Sequence, residues 1–195
     1  MPPVTARPLQ VLFVCTGNIH RSVMGERLLV PRLRPGLPIV VSSAGTQAAV
    51  DQEIGPYSAI ALTDPSADST GHVPRQLRPE LAIAAHLILT AELEHRRIVL
   101  NDTPRGIAAD LLAPRVRPIG QPRCPLDPAQ PFDVDELRAQ VLRISAQRGV
   151  APRATSSEDI ADPVRASLSQ TRDRAREIAG CVDVVVASFG LQRTG

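Results

Sequence analysis

The chain has 195 residues, 43% of them hydrophobic, and a formal net charge of +2. That length suits a single domain, 1–195, with a substantial core, and no apolar run reaches the roughly 20 residues a membrane-crossing helix needs. All the basic side chains other than His are Arg, and with one Tyr and no Trp the chain lacks platforms on which nucleic-acid bases stack.

Strand and helix patterns alternate along the sequence. Leu9 to Val14 is an apolar run that predicts a first strand, and Val23 to Leu33 a first helix, broken by Pro35-Gly36. Ile39 to Ser42 predicts a second strand. Pro56 to Leu62 and Pro79 to Ala85 predict short helices. Leu87 to Leu89 predicts a buried third strand, Ala91 to Leu100 a helix, and Val116 to Ile119 a short fourth strand. Five prolines from Pro118 to Pro131 mark a loop, and Val134 to Ser145 predicts a helix capped by Asp133. A last helix is expected after Asp162, with Pro163 at its first position. Its apolar stripe steps through Val164, Leu168, Thr171, Ala175, Ile178, Val182, Val185 and Phe189, which favours helix over strand for Val182 to Ala187. The alternation predicts an α/β fold: an open, parallel, four-stranded sheet with helices on both faces.

The chemistry is concentrated in Cys15-Thr16-Gly17-Asn18-Ile19-His20-Arg21-Ser22, between the first strand and the first helix. A helix N-terminus offers unpaired N–H groups and a positive dipole to an anion. Gly17 and Asn18 tolerate the left-handed angles that aim successive N–H groups at one point. Arg21 adds a planar, two-pronged donor matched to phosphate oxygens. A thiolate is a strong nucleophile, so the arrangement points to attack of the Cys15 sulfur on phosphorus, with no cofactor and no metal. A buried, inert strand cysteine followed by a surface Arg is the bland alternative; the strand–loop–helix setting speaks against it.

A proton donor for the leaving oxygen is also needed. Three Asp-Pro pairs are available, Asp64-Pro65, Asp127-Pro128 and Asp162-Pro163, and each also reads as a turn or cap. The group His86, Glu92, Glu94, His95 reads as one solvated edge rather than a metal site. Three widely spaced cysteines form neither a disulfide framework nor a metal motif, so Cys124 and Cys181 read as structural thiols. Met1-Pro2-Pro3-Val4 lacks a signal-peptide pattern, which makes the cytoplasm the expected location. Nothing in the sequence fixes the oligomeric state.

The loop resembles that of the low-molecular-weight protein tyrosine phosphatase family, which reads Cys-x-Gly-Asn-x-Cys-Arg-Ser-Pro-Met. Cys15, Gly17, Asn18, Arg21, Ser22 and Met24 match it. The resemblance continues at Ser42-Ser43-Ala44-Gly45-Thr46, at Gly71 to Leu77, from Leu87 to Thr90 and at Glu92, and at Asp162-Pro163, whereas about 115–157 matches poorly and reads as an insert. It implies that Cys15 is the nucleophile of a phosphocysteine mechanism, that Asp162 is the general acid and then the base, and that Ser22 donates to the sulfur. It implies that Thr16, Gly17, Asn18, Ile19 and His20 surround the phosphate, and that Ser43 and His72 support Asn18. The expected activity is phosphomonoester hydrolysis, on a phosphorylated protein or a small phosphomonoester.

The sequence also departs from the family. His20 replaces a second cysteine that can shield the nucleophile from irreversible oxidation, and Val23 replaces the loop Pro. The aromatic walls of the substrate pocket are replaced by Gln47-Ala48-Ala49 and Val164-Arg165. Arg165 points to an acidic or polar group beside the phosphate, whereas Ile19 accompanies phosphotyrosine rather than phosphoarginine activity in the family. Two alternatives follow: a phosphate-binding module without catalysis, and an arsenate reductase. The second needs two further relay cysteines near the strand from Leu87 to Leu89, where Thr90 and Glu92 stand instead.

Overall fold

A computed structural model describes residues 7–62, 67–102, 109–111, 134–146 and 159–188. The central strand is β1 (Leu9–Cys15), with β2 (Ile39–Gly45) on one side and β3 (Leu87–Thr90) on the other; β4 (Ala109–Leu111) pairs with β3. All pairings are parallel, in the order β2-β1-β3-β4. The three strands expected from the apolar runs are therefore present. The fourth strand of the sheet is β4; the expected strand at Val116 to Ile119 lies outside the described residues, as does the proline-rich loop.

Both faces of β1 are apolar because both are covered. Leu9, Val11 and Phe13 join a core with Met24 and Leu28 of α1 (Arg21–Leu29), Leu137 of α5 (Val134–Ala146), and Ile178 and Val182 of α6 (Leu168–Ser188). Leu12 and Val14 point the other way, into a smaller core with Ala82 of α3 (Pro79–Ala84) and Val99 of α4 (Leu93–Asp102). A short helix, α2 (Pro56–Ala61), contributes Ala61 to the larger core. The helix α5, inside the poorly matching stretch, thus packs into the same core as β1.

Several boundaries move for local reasons. The first helix closes at Leu29 and tightens into a 3-10 turn over Val30–Arg32, because Pro31 has no N–H to continue the helical ladder. The helix α4 starts at Leu93, later than expected, with its first N–H capped at 2.7 Å by the Asp159 carboxylate. Ala91 ahead of it continues the sheet edge, donating to Val14 O at 3.0 Å.

The last helix does not begin at Pro163. Residues after Asp162 form a turn, with Val164 N donating to Asp162 Oδ1 at 3.1 Å and Ala166 N to Pro163 O at 2.9 Å. The helix starts at Leu168 behind a reciprocal capping box between Ser167 and Gln170. It runs on through Val182 to Ala187 as a helix, and Val164, outside it, is exposed rather than part of the stripe.

The chain leaves β1 for β2 on one side and then crosses to β3 on the other. The carboxyl end of β1 is therefore the switch point of the sheet, where open α/β folds form their ligand crevice.

Candidate active site

The loop from Thr16 to His20 fills that switch point, and the carbonyls from Cys15 to Ile19 all accept hydrogen bonds from the segments around it. Thr46 N donates to Cys15 O, Gln47 N to Thr16 O and Ala49 N to Gly17 O, each at 2.9 Å. His72 Nε2 donates to Asn18 O at 2.6 Å, and Gly55 N donates to Ile19 O at 2.8 Å. In a trans peptide the C=O and the following N–H point in opposite directions. The N–H groups of residues 16–20 are thereby turned to the inner side, where none donates to a described residue. Asn18 makes the turn possible with φ of 56°, in the left-handed region as expected; Gly17, expected to share this role, has no positive φ. Gly45 lies against the loop so closely that a Cβ there would stand 2.4 Å from Thr16 O.

Side chains lock this loop from below. Ser22 Oγ is 3.0 Å from Cys15 Sγ and accepts from Asn18 Nδ2 at 2.9 Å. Asn18 Nδ2 also donates to Ser43 Oγ at 2.8 Å, and Ser43 Oγ in turn donates to Glu26 Oε2 at 2.5 Å. The backbone N of Arg75 donates to Asn18 Oδ1 at 2.9 Å and its Nε to Ser43 O at 2.6 Å. Cys15, Asn18, Ser22 and Ser43 are all buried, so these bonds are shielded from water and strong. Sequence reasoning assigned no role to Glu26 or Arg75. The spacing of Ser22 and Glu26, one helical turn apart, was the available signal for Glu26.

Arg21 is 1% exposed, and a guanidinium is tolerated there only with partners. Its Nη1 meets Glu92 Oε1, with which it is ion-paired, and donates to Ile160 O at 2.8 Å. Its Nη2 donates to Asp162 Oδ2 at 2.5 Å and to Thr16 Oγ1 at 3.3 Å. Its Nε is buried without a partner. Of the three Asp-Pro pairs, Asp162 stands beside the loop; Asp64 and Asp127 lie outside the described residues. Arg165 follows in an exposed turn at φ of 62°, a conformation costing a non-glycine residue roughly 1 kcal/mol.

The expected solvated edge breaks apart. His95 is 3% exposed and its Nε2 lies 2.9 Å from Thr16 Oγ1, while Glu92 pairs with Arg21. Only Glu94 keeps the expected setting, in an exposed pair with Arg97, and His86 accepts from Gln10 N at 2.9 Å. The reason is the β1–β3 register, which pairs Val14 with Thr90 and delivers the start of α4 to the loop. Burial pushes the His95 imidazole below its ordinary 6.5, with Glu92 opposing and Arg21 reinforcing the shift.

His20 turns its ring away from the loop centre. Nδ1 is 2.7 Å from Ser58 Oγ, and the ring fills the space where a Cβ on Gly55 would stand, 2.0 Å from His20 Cε1. Burial lowers its pKa, against the pull of Asp162 and with the push of Arg21. Among the described residues no group of His, Cys, Asp and Glu is placed to hold a metal ion, and no helix is long and apolar enough to cross a membrane.

Residues 10–109 match the model of the family described as low molecular weight phosphotyrosine protein phosphatase. A putative low molecular weight protein-tyrosine-phosphatase of Klebsiella pneumoniae is 38% identical over 102 residues, covering 52% of this chain and 69% of that protein. A protein-arginine-phosphatase of Bacillus subtilis is 34% identical over 98 residues, covering 50% of this chain and 65% of that protein. The fold is similar to the crystal structure of the Erwinia amylovora tyrosine phosphatase AmsI, with a TM-score of 0.62 at 20% identity over 94% of each chain. The loop from Cys15 to Ser22, the strands β2 and β3, all of β1 but Leu9, and the helix α4 fall inside the matched stretch, and on that ground the chain belongs to the low molecular weight phosphotyrosine protein phosphatase family.

Proposed function

We propose that the protein is a cysteine-dependent phosphomonoester hydrolase, of protein tyrosine phosphatase type, acting through a phosphocysteine. The observation that carries this reading is the buried, unpartnered Nε of Arg21 in the loop that also holds Cys15 beside Ser22. An unmet buried donor costs roughly 1–3 kcal/mol, and a phosphate oxygen relieves it.

The Cys15 thiolate attacks phosphorus while the bond from phosphorus to the ester oxygen breaks. The N–H groups of residues 16–20 and Arg21 hold the three remaining oxygens in their developing charge. Asp162, as the acid, gives its proton to the leaving oxygen. The resulting carboxylate then takes a proton from water, whose oxygen attacks phosphorus and releases the Cys15 thiolate and inorganic phosphate. Ser22 donates to the sulfur as it leaves. Ser43 and His72 hold Asn18 in its left-handed turn; Glu26 and Arg75 back them.

The substrate is a phosphorylated protein or a small phosphomonoester. Without aromatic walls a phosphotyrosine ring loses stacking of about 1 kcal/mol per pair. Arg165, exposed beside Asp162, supports a substrate with an acidic or polar group next to its phosphate. We retain the cytoplasm as location, where a free thiol persists.

A second reading, a phosphate-binding module without turnover, draws on the same missing aromatics. An arsenate reductase is disfavoured because Thr90 and Glu92 occupy the places beside β3 where relay thiols belong; Cys181 is buried in α6, and burial pushes its thiol up to about 12. Turnover of para-nitrophenyl phosphate by the wild type, lost in Cys15→Ser, supports the hydrolase. Binding of phosphate without turnover supports the module.

A further inference from the structure

Thr16 directly follows Cys15, and its hydroxyl oxygen is held from two sides. His95 Nε2 is 2.9 Å away and Arg21 Nη2 3.3 Å away. Arginine can only donate. His95 Nδ1 is buried without a partner. A proton on Nδ1 would be an orphaned buried donor, which folds tolerate less well than an orphaned lone pair. The imidazole proton therefore sits on Nε2, where Thr16 Oγ1 accepts it and the Glu92 carboxylate stands 3.7 Å away. A hydroxyl has two lone pairs and one proton. With both lone pairs engaged, the Thr16 proton has to be given to something else, and no described residue receives it.

We propose that His95 is a positioning residue which, with Arg21, turns the Thr16 hydroxyl into a donor for the oxyanion held by the loop. The ligand class is a tetrahedral oxyanion, free or esterified. Thr16 then contributes both its N–H and its O–H to the same ligand. This inference rests on the phosphatase reading of the loop and adds a side-chain donor to a site otherwise built from backbone and Arg21.

The test uses the whole chain with inorganic phosphate as the probe, its affinity read by calorimetry. Thr16→Val should weaken phosphate binding about tenfold, the scale of one hydrogen bond to a charged group, and Thr16→Ser should restore it. His95→Leu should match Thr16→Val, and His95→Gln, which keeps a side-chain N–H, should recover most of the loss. The double variant Thr16→Val/His95→Leu should lose no more than either single one, because the two act as a unit. With para-nitrophenyl phosphate the loss should appear in kcat/KM, and His95→Leu should match Thr16→Val there as well. Nitrogen-15 NMR should find the His95 proton on Nε2 and shift its resonance when phosphate is added. Additive losses, a proton on Nδ1, or unchanged affinity in His95→Leu would overturn the inference while leaving the hydrolase reading intact. A wild type that binds phosphate without turnover sinks the hydrolase reading but still reports on His95. A wild type that binds no phosphate sinks both.

Discussion

Arg21 and Asp162 lie 141 residues apart in sequence and meet through Nη2 and Oδ2 at 2.5 Å. The residue proposed to hold phosphate is thus paired with the residue proposed to give the proton. Phosphate charge competes with the Asp162 carboxylate for the same guanidinium, so an arriving ester loosens the pair at the moment Asp162 has to carry a proton.

Removing that acid should therefore be felt according to the leaving group. Asp162→Asn should slow hydrolysis of esters with poor leaving groups by about 10² or more, the usual scale for one general acid. Esters with strongly acidic leaving groups should be slowed less. Steady-state rates across a series of aryl phosphates give the comparison; equal small effects throughout would move the role to another carboxylate.

Gly45 separates loop geometry from ordinary stability. In Gly45→Ala the new Cβ meets Thr16 O at 2.4 Å, a backbone atom that yields only if the loop shifts. Turnover should fall at least tenfold, since small misplacements of a catalytic loop are costly. Gly36→Ala is the control. Its φ of 82° makes a side chain strained while nothing lies within 4 Å, so it should cost about 1 kcal/mol and leave turnover unchanged. Paired melting curves and rates decide.

Stability should decline with acid in the histidine range. Burial lowers the pKa of His20, His86 and His95 from 6.5. The folded chain therefore takes up protons on these rings less readily than the unfolded chain does. Stability is thus fully present above about 6.5 and is lost as pH falls below it. Urea midpoints across this range should fall for the wild type and fall less for His95→Gln; parallel curves for the two proteins would contradict the assignment.

Peroxide should inactivate the protein in a way dithiothreitol rescues poorly. With His20 in the loop where the family carries a thiol, a Cys15 sulfenic acid has no thiol of the same loop to trap it before further oxidation. His20→Cys should restore reversibility. It should also cost about 1–3 kcal/mol, because Ser58, fully buried, loses its ring partner. Mass spectrometry of the oxidised protein checks this, and a Cys15–Cys124 disulfide in the wild type would falsify it.

The loop and the strands β1, β2 and β3 were legible in the sequence, because local pattern dictates them, whereas the pairing of Asn18 with Ser43 and His72 was implied by the family resemblance alone. The setting of Glu92 and His95 was not legible. Their charges at the start of a helix read as a solvated edge, and only the parallel register of β3 against β1 carries them to Thr16 and Arg21. The helical period held a clue: Glu92 and His95, three apart, share a face, while Glu94 falls on another. The start of α6 was misplaced for a related reason. Asp-Pro is a common helix opening, but here the Asp162 carboxylate caps the turn at Val164 and reaches Arg21, leaving the helix to the Ser167 box.

The segment around Ile160 has a consequence in time. Ile160 N donates to Ala91 O, and Ile160 O accepts from Arg21, so the strip bearing Asp159 and Asp162 is stitched to parts of the chain synthesised much earlier. A growing polypeptide owns the proposed nucleophile, Cys15, long before the proposed acid, Asp162. On the proposed chemistry, an unfinished chain meeting a reactive phosphoryl donor would load its sulfur and have nothing to activate the water that unloads it. On that chemistry, reversibility of the bond arrives only with the strip that carries Asp162.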